Sequence, residues 1–341
     1  MNPANGSAHE LGVVIITRNE AARVAACIES VLRAIKPSFA NADVVVIDSD
    51  SSDDTTAIAA RYPVRVFRYR ALRMSAAAGR WIGAQRIGAP YVLFLDGDCE
   101  LVPGWLELAI VRMRLDPTLG VIHGARRNVE NGVVDTTSMT NALGGTALYR
   151  REALIRCKGF NPFIIACEEQ ELRIRLEAAG YRAVHTIEPM LLHHTIKKET
   201  IAGMWRRYSA GMQGGPGQVL RIAWRDGLFL KHARRFNRYI ATAVYLLAGA
   251  LAALATPIAS PVPLLAWAFL GALSVAGLAW RRRSVRDATF IVADWTSVAI
   301  GSLRSFVESP RPHEDFTYSL EELTRPMRAP IDRRAASGRH G

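Results

Sequence analysis

Residues 239–280 contain no charged side chain. One helical crossing of a bilayer needs about 20 predominantly apolar residues, so this run is long enough for two. Pro257-Ile258-Ala259-Ser260-Pro261-Val262-Pro263 divides it and supplies a turn. The run therefore predicts two transmembrane helices rather than a buried hairpin of a soluble domain. Basic residues stand at both outer ends, within Lys231–Arg238 before it and at Arg281, Arg282, Arg283 and Arg286 after it, and none lies in the turn. The positive-inside rule then places both ends in the cytoplasm and the turn outside. The chain carries a formal net charge of +12, nearly all of it contributed after residue 196. Because these charges flank apolar segments, they point to a membrane surface and not to nucleic acid.

Around this hairpin the chain divides readily. Residues 1–11 are polar, without the apolar core of a signal peptide, and are expected to be disordered. Residues 201–238 mix Leu220, Ile222, Trp224, Leu228, Phe229, Leu230 and Phe236 with Arg221, Arg225, Lys231, Arg234, Arg235 and Arg238. That pattern suits a basic amphipathic region lying in the membrane interface, the alternative being a helix packed on the preceding domain. Residues 288–307 are apolar again but include Asp294 and Arg304. A third crossing would carry the Arg-bearing tail, 308–341, to the outside, so an interfacial or re-entrant helix is expected. Cys27, Cys99, Cys157 and Cys167 lack C-x-x-C spacing and read as reduced thiols.

Residues 12–200 read as an α/β domain. Short apolar runs at Gly12–Thr17, Asp43–Ile47, Val64–Phe67 and Tyr91–Leu95 alternate with helical periods, among them Ala21–Ala34, Ser75–Ile87 and Trp105–Leu115. Such alternation predicts a Rossmann-like, mostly parallel sheet with helices on both faces. Asp53 is a candidate cap for a helix running to about Arg61. No G-x-G-x-x-G follows the first strand, which argues against a dinucleotide-binding dehydrogenase. The strand Tyr91–Leu95 runs into Asp96-Gly97-Asp98. Open α/β sheets bind ligands outside the carboxyl ends of their strands. Two carboxylates separated by a glycine there can share a hard divalent cation with substrate phosphates. Alone, the triplet would be read as an acidic turn; the surrounding elements shift that reading.

Five segments, in order, resemble a family 2 glycosyltransferase of the GT-A fold: VVIITRNEAARVAACIESVL, VVVIDSDSSDDT, AAAGRWIGAQRIGAPYVLFLDGDCEL, GGTALYRREALIRCKGF and CEEQELRIRLEAAGYR. The resemblance implies a GT-A catalytic domain followed by the transmembrane hairpin. It implies that Thr17 and Glu20 line a nucleoside pocket in which Asp48 accepts from a base N–H. Arg18, Asp50 and Arg80 would belong to the same nucleotide-sugar site, Arg80 near the diphosphate. Asp96, with Gly97 beside it, would face ribose and metal, and Asp98 would be the firm metal ligand, with His193 or His194 adding a contact. Glu169 would be the general base with Glu168 next to it, and Gly145 and Thr146 would lie on the acceptor side.

The activity so implied is transfer of a sugar, with inversion, from a nucleoside diphosphate sugar to a lipid-linked or membrane-associated acceptor in polysaccharide or glycolipid assembly. A UDP-sugar is the first expectation for the donor and Mg²⁺ or Mn²⁺ for the cofactor. The catalytic domain would be cytosolic on a multi-pass inner (cytoplasmic) membrane protein. The sequence departs from the family pattern in having Glu169 where Asp is usual and Trp81 where the family has Asn. It also lacks the Q-x-x-R-W of processive members, so transfer of one sugar is expected rather than polymerisation. Two other readings are an inactive membrane scaffold that binds nucleotide sugars and a sugar-phosphate nucleotidyltransferase, which would need a Gly-rich N-terminal signature this chain lacks.

Overall fold

The structure, a computed structural model, describes residues 9–324 apart from 37, 40, 131–132, 141–144, 195–200, 259 and 309–310. The apolar runs of the first half form β1 (Leu11–Thr17), β2 (Asp43–Asp48), β3 (Arg65–Arg70) and β4 (Tyr91–Asp96). They lie parallel in the order β3-β2-β1-β4. Every residue of β1 and Tyr91–Leu95 of β4 are buried, as continuous apolar runs require when both faces of a sheet are covered. One face packs on α1 (Val24–Ile35), α2 (Thr55–Ala59) and α4 (Trp105–Leu115). The other packs on α3 (Ala76–Ala84), α5 (Arg151–Arg156) and α6 (Glu168–Ala178). Alternation along the strands assigns the side chains: Val13 and Ile15 face the first layer, Val14 and Ile16 the second.

Past β4 the sheet becomes mixed. The short β5 (Cys99–Leu101) pairs antiparallel with β9 (Arg182–His194), which runs parallel to β6 (Leu119–Glu130). β7 (Val133–Thr140) pairs with β6, and β8 (Ala147–Arg150) is antiparallel to both β4 and β6. Residues in the segment expected to be a tail form β10 (Ser319–Thr324), antiparallel on β3. The aromatic pair Phe316 and Tyr318 anchors this return. Phe316 is 8% exposed and its ring lies 6.0 Å from Trp81, 5.5 Å from Phe163 and 5.8 Å from Tyr318.

The remaining helices are α7 (Ile201–Ser209), α8 (Gly215–Arg225), α9 (Phe229–Ala233), α10 (Asn237–Ala255), α11 (Val262–Arg282) and α12 (Val285–Val307). The region expected at the interface is divided between two environments. Val219, Leu220, Ile222 and Ala223 of α8 are buried with Ile174 of α6, whereas Trp224 and Leu230 are exposed. α10 and α11 pair tightly because glycines let their backbones approach. A Cβ on Gly249 would stand 2.3 Å from Trp267, and one on Gly271 2.1 Å from the Tyr245 hydroxyl. Tyr245 and Trp267 stack at 4.9 Å, and each donates to the other's backbone carbonyl, at 2.9 and 2.8 Å. Outward, Leu251, Leu254, Leu265, Phe269 and Trp280 are exposed, a surface suited to lipid. Among the described residues, three helical stretches are long and apolar enough to cross a membrane: Phe229–Ala255, Val262–Arg282 and Val285–Val307. The third differs in its packing. Ser302 and Ser305 of α12 are buried, Ser305 Oγ donates to the Gly214 carbonyl at 2.6 Å, and a Cβ on Gly217 would stand 2.1 Å from the Ser302 carbonyl.

If residues 316–324 are part of the folded domain, Phe316→Ala should lower stability by about 3–5 kcal/mol, the usual cost of truncating a packed aromatic. Thermal unfolding of the variant in detergent reads this, and an unchanged midpoint would show that the return strand contributes nothing.

Candidate active site

The order β2-β1-β4 reverses direction at β1, and the crevice between the carboxyl ends of β1 and β4 is the position where such sheets bind ligands. Gly97 makes that crevice close. Its N–H donates to the Ile16 carbonyl at 2.9 Å, and a Cβ there would stand 2.8 Å from Thr17 Cγ2 and 3.2 Å from the same carbonyl. Only a glycine brings the Asp96–Asp98 turn this near the end of β1. Outside lies a cavity of about 720 Å³, in the size range of small-molecule sites. It is lined by Thr17, Arg18, Glu20, Arg80, Asp96, Gly97, Asp98, Glu168 and Glu169, all expected from the sequence.

Arg80, from the middle of α3, is the organising cation. It is 2% exposed. Its Nη1 donates to Glu168 Oε1 at 2.6 Å and its Nη2 to Asp96 Oδ1 at 2.7 Å, and Glu169 Oε1 lies 3.6 Å from Nη1. The guanidinium stands 5.5 Å from the Phe160 ring centre. Gly145, expected on the acceptor side, makes room for this group: a Cβ there would lie 1.4 Å from Arg80 Nη2. A guanidinium stays protonated under all ordinary conditions, so it can hold three carboxylates from two distant segments in one buried place.

The two glutamates at the start of α6 are not equivalent. Glu168 is the direct partner of Arg80. The Glu169 carboxyl is pushed well above the ordinary range by burial and by the neighbouring Glu168 charge, with Arg80 opposing. At the other end of the cavity the Glu20 carboxyl is pushed up to about 7, by burial and then by Asp98, Asp53 and Asp96. Glu20, Asp96 and Asp98 thus crowd one corner with an excess of negative charge. Burial raises the Asp98 carboxyl, but the His193 hydrogen bond prevails and holds it below its usual value. His193 Nε2 lies 3.3 Å from Asp98 Oδ2, a contact set by the pairing of Cys99 with His193 between β5 and β9.

Asp98, Cys99 and His193 offer donor atoms within 4.8 Å of one another. Cys99 is buried, and burial together with Asp96 and Asp98 drives its thiol far above the usual range, so it stays protonated. The usable donors are the carboxylates and the imidazole. Oxygen with one nitrogen, beside a cavity able to take phosphates, fits Mn²⁺ or Mg²⁺.

Other expected residues are placed differently. Asp48 is fully buried. It accepts from Thr17 Oγ1 at 3.1 Å and from the Ser51 N–H and hydroxyl at 2.8 and 2.5 Å, so it buttresses the cavity wall from behind. Asp50 adopts φ 53° and accepts from Arg70 at 2.9 Å. His194 turns to Glu100 at 2.6 Å, away from Asp98. Thr146 lines a pocket of about 20 Å³ behind Asp96 and His193, room for a single water. Further lining comes from residues the sequence reading did not mark: Arg73 and Met74 before α3, Ser209 at the end of α7, and Ala210 and Met212 after it. Arg73 Nη2 donates to the Ala210 carbonyl at 3.1 Å and ties these two segments together. No motif announces either, because each is defined only by the other.

Residues 12–165 match the family model described as glycosyl transferase family 2. No curated protein sequence matches the chain. Among solved structures the fold is similar to mannosyltransferase PcManGT from Pyrobaculum calidifontis in complex with GDP-Man and Mn²⁺. That likeness has a TM-score of 0.61 at 20% identity and covers 89% of this chain and 88% of that one. It is also similar to S. aureus TarS 1-349 in complex with UDP-GlcNAc, with a TM-score of 0.52 at 15% identity, covering 86% and 92%. These identities establish likeness of fold. The match to glycosyltransferase family 2 thus lies within residues 12–165, and the fold is the GT-A fold.

Removing Arg80 strands buried carboxylates. Arg80→Met should cost about 3–5 kcal/mol at pH 8, the range for breaking a buried ion pair on one side. The deficit should shrink at pH 5, where protonation neutralises the stranded groups. Unfolding midpoints of wild type and variant at both pH values check this, and a pH-independent deficit would show that lost packing, not charge, is responsible.

Proposed function

We propose that this family 2 domain moves one sugar, with inversion, from a nucleoside diphosphate sugar to a lipid-linked or membrane-associated acceptor at the cytoplasmic face of an inner membrane. The observation that supports it most is the cavity at the β1/β4 edge. Asp98, which pairs with His193, and Glu169, 3.6 Å from Arg80, both line it. The donor is a UDP-sugar on this reading, with GDP-mannose as the alternative to be assayed beside it.

Asp98 and His193, with Asp96 beside them, would hold Mn²⁺ or Mg²⁺ against the donor diphosphate. The ion would supply positive charge to a leaving group that departs with an added negative charge. Glu168 and Asp96 are engaged by Arg80, which leaves Glu169 as the carboxylate able to accept a proton. The acceptor oxygen forms its bond to the anomeric carbon as the bond to the diphosphate oxygen breaks. The bonding pair leaves with the nucleoside diphosphate and the acceptor proton passes to Glu169. One displacement without a protein nucleophile inverts the anomeric centre. Thr17 and Ser49 would face the nucleoside, their positions set by Asp48 and its turn.

The membrane reading rests on α10 and α11 as the spanning pair, with basic residues at both cytoplasmic ends. α12 would lie along the interface, since its C-terminal half is engaged by α8 and the turn at Met212–Gly214. This arrangement would set the catalytic cavity beside the bilayer surface, within reach of a lipid-borne acceptor.

Glu169→Gln should reduce kcat by about 10²–10⁴-fold, the usual contribution of a positioned base. Thermal stabilisation by UDP or GDP with Mn²⁺ should persist. Because the Glu169 carboxyl is raised and must be ionised to accept a proton, wild-type kcat should climb with pH well beyond the ordinary carboxylate range. Sugar transfer to membrane extracts from UDP-sugars and GDP-mannose provides the assay. Full activity at pH 5, or full activity in the Gln variant, would remove Glu169 from this role.

A further inference from the structure

A second cavity, of about 1010 Å³, opens where the ends of α10, α11 and α12 meet α7, and Arg238, Arg282, Arg286, Asp287 and Asp294 line it. Beside it lies a recess of about 890 Å³ among α10, α11 and α12, bounded by Leu246, Trp267, Leu278 and Val292. Arg238 and Trp295 border both, so the two adjoin, a cationic space beside an apolar one. Neither belongs to the catalytic cavity.

The charges at the cationic end do not cancel. Asp294 is already paired with Arg207 of α7 at 3.2 Å. Asp287 lies in the first turn of α12, whose N-terminus is capped by Ser284. Among the described residues, no carboxylate forms an ion pair with Arg238, Arg282 or Arg286; Arg238 instead covers the Tyr239 ring at 4.9 Å. Arginine forks match phosphate oxygens, and the start of α12 adds the positive end of its dipole. A charged end for phosphate and an apolar end for hydrocarbon together describe an amphiphile. A soluble nucleotide would leave the apolar half unfilled.

α7 links this space to the catalytic cavity. Met204 borders the cationic end and Ser209 the catalytic cavity, a separation of about 7.5 Å along the helix axis at 1.5 Å per residue. The two cavities share no lining residue, so a phosphate among the arginines does not occupy the space that Glu169 borders. We infer that the space holds the phosphate or diphosphate and adjoining hydrocarbon of a lipid-linked saccharide, whose sugar hydroxyl, and not its phosphate, reaches Glu169. This inference rests on the glycosyltransferase reading above and specifies its acceptor class.

The test uses full-length protein in detergent with EDTA, so that metal-dependent diphosphate binding in the catalytic cavity does not contribute. Tryptophan fluorescence is titrated with farnesyl diphosphate, farnesol and inorganic diphosphate. Farnesyl diphosphate should bind at least tenfold more tightly than either fragment. Arg282→Gln combined with Arg286→Gln should weaken it at least tenfold while leaving thermal stabilisation by UDP or GDP with Mn²⁺ unchanged, which also reports that the variant is folded. Equal affinity in the variant, or inorganic diphosphate binding as well as the lipid, would overturn the site. Donor-sugar transfer onto farnesyl phosphate itself would overturn the placement of the acceptor hydroxyl beyond the phosphate. Failure of every nucleotide to stabilise the wild type would count instead against the glycosyltransferase reading.

Discussion

One buried guanidinium holds this molecule's functional centre together. Arg80 reaches Asp96 at the end of β4 and Glu168 and Glu169 at the start of α6. Those residues come from segments far apart in sequence, and the two buried glutamates would not be stable side by side without a fixed positive charge. The cluster therefore does two things at once. It closes the domain across the sheet edge, and it partitions the acids, engaging Glu168 and Asp96 while leaving Glu169 raised and available to take a proton.

Two glycines make this arrangement sterically possible. Gly145 leaves the volume that the guanidinium occupies, and Gly97 lets the acidic turn lie against the end of β1. Both act by close approach, since neither has a positive φ. Behind them Asp48, bonded to Thr17 and Ser51, stiffens the wall that the nucleoside is proposed to meet. Across the cavity, α7 and the segment after it join the α/β domain to the long apolar helices. Arg73 and Ala210 meet on one side of that link, and Arg207 and Asp294 on the other. The cavity at the sheet edge and the long apolar helices thus share a short connecting helix.

Much of this was legible in the residues. Tyr91–Leu95 is buried on both sides because nothing polar interrupts it, and α4 spans the residues its period marks, Trp105–Leu115. The uncharged run after residue 238 gives a helical pair, since no packing inside the chain could cover it. Helix ends were less legible. Asp53 was expected to cap a helix running to about Arg61; its carboxylate accepts from the Thr55 N–H at 3.1 Å, but α2 covers only Thr55–Ala59. Side-chain direction was not legible at all. Spacing places His193 and His194 together, but the strand's alternation sends one to Asp98 and the other to Glu100. Motif resemblance marks Asp48 for the nucleoside pocket, but its hydrogen bonds to Thr17 and Ser51 could not be read from spacing. The return of β10 to the sheet depends on Phe316 and Tyr318 finding Trp81, a partner no local pattern reveals.

The central claim is that the acidic corner binds a divalent cation together with a nucleoside diphosphate. Electron paramagnetic resonance of Mn²⁺ reads it directly. On adding UDP or GDP to the full-length protein, one equivalent of Mn²⁺ should pass from the free to the bound spectrum, and Asp98→Ala should abolish that change. Binding of Mn²⁺ and nucleotide that is indifferent to Asp98 would contradict the account.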